Sequence, residues 1–331
     1  MDWDTHWPEA KRQWLVLHGA TGLVEDDIVY NNTRIRKVAA TSDTFRPDPG
    51  NWPTILYRVQ PSRRALILTH GLTDSPAFVK AIGSAFAEHG MGHTVLMPLL
   101  PGHGRTNPER AMAACTYEEW RKVVDDTVAV GHMIADEVSI AGFSTGGALA
   151  FDKLLRDQHA ITGKVYLFSA ALNLRDIEKL YLGTHLAKFI EIIKSGKTDN
   201  DGLKGDPCKY SRMFNFGAGQ LEKLINELRT AGGSTNGKED FAAFREVNRI
   251  FIAHSEADEV IDVEYVRPLA DRLEEAQRFI IEKQYNVKHS ELVLEVGRNY
   301  VPGCGDVAPP PKANPRFSHM VQKMLAVADE L

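Results

Sequence analysis

The chain is poor in cysteine. Its 331 residues hold three, Cys115, Cys208 and Cys304, and no two lie at CxxC spacing. That excludes a zinc site built on paired thiols. So low and odd a count fits a reducing compartment. One bridge, Cys208 to Cys304, is open, because both thiols sit in polar, turn-rich stretches. Long apolar runs are missing as well. No stretch approaches the roughly 18 apolar residues that a membrane span needs. The start, MDWDTHWPEAKRQW, has no basic segment followed by an apolar run, so it does not read as a secretory leader. The expectation is a cytoplasmic protein with no stable membrane insertion. An excess of one charge is also absent: 39 Lys and Arg face 44 Asp and Glu, a formal net charge of −5. A nucleic-acid partner would need a basic stripe, and both signs are scattered here. Oligomeric state is not legible.

What is present is a core-forming composition, 43% apolar and 25% charged. The length suits one α/β domain with an insertion. Short apolar runs at 65–69, 94–100, 137–142, 164–169, 249–254 and 278–282 have the continuous pattern of strands buried on both faces. Residues 28–30 and 54–59 read as edge strands. Amphipathic patterns at 78–89, 117–135, 146–158 and 263–275 predict helices between them. Strands alternating with helices predict a mostly parallel, doubly wound sheet.

Between 173 and 247 the alternation stops. Two helical patterns with apolar faces, 182–193 and 219–228, flank a polar, turn-rich stretch at 195–207. This predicts a short helical cap inserted between the sixth and seventh strands. The bland alternative is a longer helical connection packed on the sheet. The core is then residues 1–172 and 248–331, with 1–25 as an N-terminal extension. Asn31-Asn32-Thr33 matches a glycosylation sequon and reads as a surface loop. Residues 301–315 read as a Pro- and Gly-rich loop, and 315–331 as a closing helix.

The chemistry is concentrated in three places. Gly142-Phe143-Ser144-Thr145-Gly146 is a GxSxG pattern, preceded by the run VSIA and followed by the helical pattern GGALAFDKLL. A serine on a sharp strand-to-helix turn is exposed, and the helix N-terminus behind it favours developing negative charge. The second place is Thr69-His70-Gly71-Leu72-Thr73, after the first strong strand. The N–H groups of Leu72 and Thr145 are the candidate oxyanion-hole donors. His70, His103 and Phe143 are candidate pocket-lining residues; for His70 the alternative is a structural histidine that holds the loop. The third place is the partner order, serine, acid, then histidine. Asp258, in SEADEVI after the next-to-last strand, is the candidate acid, with Glu256 as alternative. His289, in VKHS after the last strand, is the candidate base, with His319 as alternative. The resulting acyl-enzyme chemistry needs no metal and no organic cofactor.

HGLTDSP, MPLLPGHG, GFSTGG and SEADEVI, in this order, resemble the carboxylesterase and monoacylglycerol lipase branch of the α/β-hydrolase superfamily. The resemblance runs from about residue 64 to the end. It implies the α/β-hydrolase fold with a short cap, a Ser144–Asp258–His289 triad, and an oxyanion hole at Leu72 and Thr145. It also implies hydrolysis of a small-molecule ester. The base departs from the family's pattern, since it lies in VKHSE rather than in a glycine-flanked turn. Two other functions are weighed. One is amide or C–C cleavage on the same fold, for which an aminopeptidase would want carboxylates such as Glu178, Asp199 or Asp201 facing the substrate amine. The other is a non-catalytic binding protein.

Overall fold

The computed structural model describes residues 3–58, 62–90, 92–172, 208–210, 215–231, 246–261, 263–295 and 313–330. Their strands are β1 (Gly22–Tyr30), β2 (Thr33–Thr41), β3 (Thr54–Tyr57), β4 (Arg64–Thr69), β5 (Thr94–Met97), β6 (Glu137–Phe143), β7 (Val165–Phe168), β8 (Ile250–Ser255) and β9 (Arg278–Ile281). They form one sheet in the order β1-β2-β3-β5-β4-β6-β7-β8-β9. β5, β4, β6, β7, β8 and β9 run parallel, and β1, β2 and β3 add an antiparallel edge.

The continuous apolar runs have a direct explanation. Side chains alternate across a strand, and each face of this sheet is covered. Ala65 and Ile67 of β4 join one buried cluster, while Leu66 and Leu68 join the other. The first cluster is roofed by α1 (Trp3–His18), α4 (Tyr117–Ile134), α5 (Thr145–Arg156), α6 (Asn215–Ala231) and α7 (Val263–Ala270). The second is roofed by α2 (Pro76–Glu88) and α8 (Phe317–Ala328). A short α3 (Pro108–Ala113) follows β5. Two-sided coverage is what makes the sheet doubly wound.

Several expectations need adjustment. The edge strand at 28–30 is the end of a longer strand, and β2 was not anticipated. The two form a hairpin through Asn31 and Asn32, both at positive φ, 43° and 67°. A two-residue turn with both φ positive is the type I′ connection, which asparagine tolerates. The sequon residues Asn31 and Asn32 are therefore the hairpin tip. β5 stops at Met97 because Pro98 follows, and proline has no N–H for the ladder. α7 is shorter than its pattern, ending at Ala270 just past Pro268. Residues 3–18 of the N-terminal extension are helical, with Trp7, Ala10 and Trp14 buried.

The interval for the cap lies between β7 and β8, one strand later than counted because of β2. Of it, α6 is described. The pattern at 182–193, the turn-rich 195–207 and most of the loop at 301–315 lie outside the described residues, as does Cys304 of the weighed bridge. Cys115 is free and buried. Among the described residues no helix is long and apolar enough to cross a membrane.

Candidate active site

β4 and β6 are neighbours, yet the chain leaves β4 toward β5 on one side and resumes at β6 on the other. This is a topological switch point, where the carboxyl ends of adjacent parallel strands open a crevice. The residues singled out in the sequence converge there.

Ser144 sits between β6 and α5 at φ 54°, ψ −115°. A non-glycine residue at such a φ is strained and persists only when its surroundings hold it. Three hydrogen bonds do so. Ser144 N–H donates to Phe168 O at 3.0 Å, and Ser144 O accepts from Ala148 N–H and Ala171 N–H, each at 3.0 Å. The flanking glycines are required by contact rather than by φ. A Cβ on Gly142 would lie 2.1 Å from the Gly146 backbone, and one on Gly146 would lie 2.1 Å from Thr69 O. Only bare backbone lets α5 start this close to β4. Ser144 is buried but for 8% of its surface.

His289 Nε2 lies 2.9 Å from Ser144 Oγ, and His289 Nδ1 lies 2.7 Å from Asp258 Oδ2. An ionised carboxylate can only accept, so Nδ1 carries the proton and Nε2 faces the hydroxyl as an acceptor. Asp258 follows β8 on a tight turn whose other carboxylate oxygen accepts Val260 N–H at 2.8 Å and Ile261 N–H at 2.9 Å. Burial pushes this carboxyl up, but the imidazole of His289 and these N–H donors outweigh it and hold it below the ordinary value. The acid and base turns are tied together by an ion pair between Lys288 and Glu259. The His289 ring rests on Phe143, with centroids 5.0 Å apart. Phe143 is itself almost fully buried, so it supports the imidazole from below.

The alternatives lie elsewhere. His319 is on α8, exposed, beside Arg316 and edge-on to Phe279. Glu256 accepts from Lys283 N–H and Arg267 at the sheet edge.

The loop after β4 carries Leu72, and Thr145 opens α5. Among the described residues neither N–H meets a backbone acceptor. The two histidines beside this loop are fully buried. His70 accepts Leu100 N–H on Nε2 at 3.2 Å, so its proton sits on Nδ1 and is donated to Gly71 O at 2.8 Å. Burial, then the neighbouring His103, drops the His70 pKa to about 3, and the ring is neutral. His103 Nε2 lies 2.6 Å from Leu72 O, and Nδ1 lies 3.1 Å from Pro101 O. Burial also lowers its pKa, so it carries one proton, and the shorter contact assigns that proton to Nε2. His70 thus spends both ring nitrogens on backbone, and His103 spends Nε2.

Sequence reasoning missed a strap within the interval of the expected cap. Tyr210 N–H donates to Thr73 O at 2.7 Å, Tyr210 Oη donates to Gly102 O at 2.8 Å, and its ring stacks on His103. Lys209 pairs with buried Asp74 and lies over the Phe78 ring. No local pattern marks Lys209 and Tyr210, because their partners are about a hundred or more residues away. Among the described residues no group of three or more His, Cys, Asp or Glu is arranged to hold a metal.

Comparison with known proteins bears on the fold. The family described as Serine aminopeptidase, S33, matches residues 60–215. A soluble variant of monoglyceride lipase from Saccharomyces cerevisiae, solved with a substrate analogue, superposes with a TM-score of 0.55 at 14% identity. That match covers 95% of this chain and 98% of the lipase. A metagenome-derived lipolytic enzyme gives 0.54 at 15% identity, covering 86% of this chain and 99% of that one. No curated protein matches. The two superpositions show that the chain has the α/β-hydrolase fold.

Proposed function

We propose that this protein is a serine esterase that cleaves small carboxylic esters, with short- to medium-chain acyl esters or monoacylglycerols as the substrate class. The observation that carries the reading is the continuous relay from Asp258 Oδ2 through His289 to Ser144 Oγ, at 2.7 and 2.9 Å. Ser144 Oγ attacks the ester carbonyl carbon while His289 Nε2 takes its proton. Asp258 keeps the imidazole in the reactive tautomer and stabilises the imidazolium. The tetrahedral oxyanion is held by the N–H groups of Leu72 and Thr145. As it collapses, the C–O bond to the alcohol breaks, and His289 returns the proton to the leaving oxygen. Water, deprotonated by the same histidine, then releases the acid from Ser144. His70, His103 and Phe143 support this site from behind rather than touching the acyl group.

A second reading is favoured by the description of the matching family, which names an aminopeptidase. The same relay would cleave an amide if the cap supplied a carboxylate for the substrate amine. Glu178, Asp199 and Asp201 lie outside the described residues. The test is turnover of a p-nitrophenyl ester series, a monoacylglycerol and aminoacyl amides by the pure protein and by Ser144→Ala. Ester turnover that disappears in Ser144→Ala is the expected result. Amide turnover without ester turnover selects the aminopeptidase, and hydrolysis of neither class overturns both.

A further inference from the structure

A second cavity, of about 440 Å³, opens away from the crevice between the end of α1, the loop after β5, α3 and the start of α4. Its size falls in the range of about 300–1,000 Å³ that small-molecule sites occupy. Neither Ser144 nor His289 lines it. Leu17, Leu99 and Val123 give it an apolar wall, and Arg105 and Arg110 stand at its rim.

The charges there do not balance. Arg105 is half-buried, and burial lowers its pKa. Its guanidinium donates to Thr44 Oγ1 at 2.7 Å and lies 4.5 Å from the Phe45 ring centre, both neutral groups. Among the described residues it pairs with no carboxylate, and neither does Arg110. The acid of the cavity wall, Glu119, is occupied: it accepts Thr116 N–H at 2.8 Å in the capping box of α4. His18, also in the wall, is neutral, its pKa lowered to about 3 by burial and by Arg105. A partly desolvated cation without a counter-ion is unfavourable, and an anion that enters relieves it. An arginine fork suits a carboxylate or a phosphate, and the apolar wall favours an anion that carries an alkyl chain.

We propose that this cavity binds an amphiphilic monocarboxylate, with its carboxylate on Arg105 and Arg110 and a short alkyl chain along Leu17, Leu99 and Val123. The site stands apart from the proposed reaction and does not depend on it. It does share a wall with the site: Pro101 and Gly102 line the cavity, and the next residue, His103, holds Leu72.

The test is calorimetric titration of the full chain with hexanoate, hexanol and inorganic phosphate. Saturable hexanoate binding is expected, with hexanol and phosphate at least several-fold weaker. Losing one charge-assisted contact in Arg105→Gln weakens hexanoate by about tenfold or more. Ala111→Phe, which fills the cavity from α3, abolishes the same binding even if Arg105→Gln does not fold. The proposal is overturned if hexanoate does not saturate, if its binding survives both substitutions, or if hexanol or phosphate binds as well.

Discussion

His103 Nε2 donates to the carbonyl of Leu72 at 2.6 Å, the closest tie between the loop after β5 and the loop after β4. A peptide group is planar. Fixing the Leu72 carbonyl therefore fixes the plane that holds the N–H of Thr73, and with it the set of the whole loop. Tyr210 clamps the same pair of loops from outside, through Thr73 O and Gly102 O.

The first prediction concerns these positioning residues. His103→Ala and Tyr210→Phe leave Ser144 and His289 in place but loosen the loop that carries the Leu72 N–H. Losing one oxyanion donor outright costs about 10²–10³ in kcat, so a misaimed donor costs less. We expect kcat to fall about 10-fold in Tyr210→Phe and more in His103→Ala, with KM nearly unchanged. Steady-state kinetics on one p-nitrophenyl ester decides it. Loss confined to KM would mean that these residues shape binding instead.

The second prediction separates the histidines. His289→Ala should lower ester turnover by about 10⁴ or more, and Asp258→Asn by a similar order, since the wrong tautomer then faces Ser144. His319→Ala should match the wild type, because His319 is exposed on α8 and held by Arg316. Turnover lost in His319→Ala and kept in His289→Ala would reverse the assignment.

The third prediction is a pH dependence of stability. His18, His70 and His93 are buried, and burial drops their folded pKa values to about 3, 3 and 4, from an ordinary 6.5. Below pH 6.5 the unfolded chain takes up protons that the folded chain refuses. Stability is therefore full above that pH and is lost as pH falls toward 4. Each such group contributes a slope of about 1.4 kcal/mol per pH unit, so the three give on the order of 3 kcal/mol between pH 6 and pH 5. Asp258 acts lower down. Its folded pKa is depressed below 3.8, so its contribution is present above that value and fades beneath it. Urea unfolding at pH 7, 6 and 5 measures the slope, and His93→Leu should remove about a third of it. A stability that is flat from pH 7 to 5 is the contrary outcome.

The parallel core was legible because burial on both faces leaves an unbroken apolar run, as in ALILT before His70. The convergence of Ser144, Asp258 and His289 was legible because each follows such a strand, in the chain order serine, acid, histidine. The hairpin partner β2 was hidden. Its sequence, TRIRKVAAT, alternates charge with apolar residues, and Arg36 pairs with Asp27 of β1 across the ladder at 2.8 Å. The signal that could have found it is Asn31-Asn32, a turn pair that reads equally as a sequon. The loop-holding role of His70 was legible only as one of two readings, and that of His103 was not legible. A ring that holds a carbonyl and a ring that lines a pocket have the same sequence, and only the distances to Gly71, Leu100 and Leu72 distinguish them.

The N-terminal helix supplies the last prediction. Trp7, Ala10 and Trp14 recur at spacings of three and four, one stripe of a helix. Trp14 is fully buried against the cluster that also contains Trp120 and Val124 of α4. The stripe escapes a pattern search because charged and polar residues crowd around it and Pro8, past the first turn, interrupts it. A tryptophan this deep stabilises the whole domain if α1 unfolds together with it. Trp14→Ala should then cost about 3–5 kcal/mol, while Val16→Ala, at a site 66% exposed, should cost little. Chemical denaturation of both variants checks this. An unchanged midpoint in Trp14→Ala, with the wild-type m-value, would show that α1 detaches before the core and adds nothing to its stability.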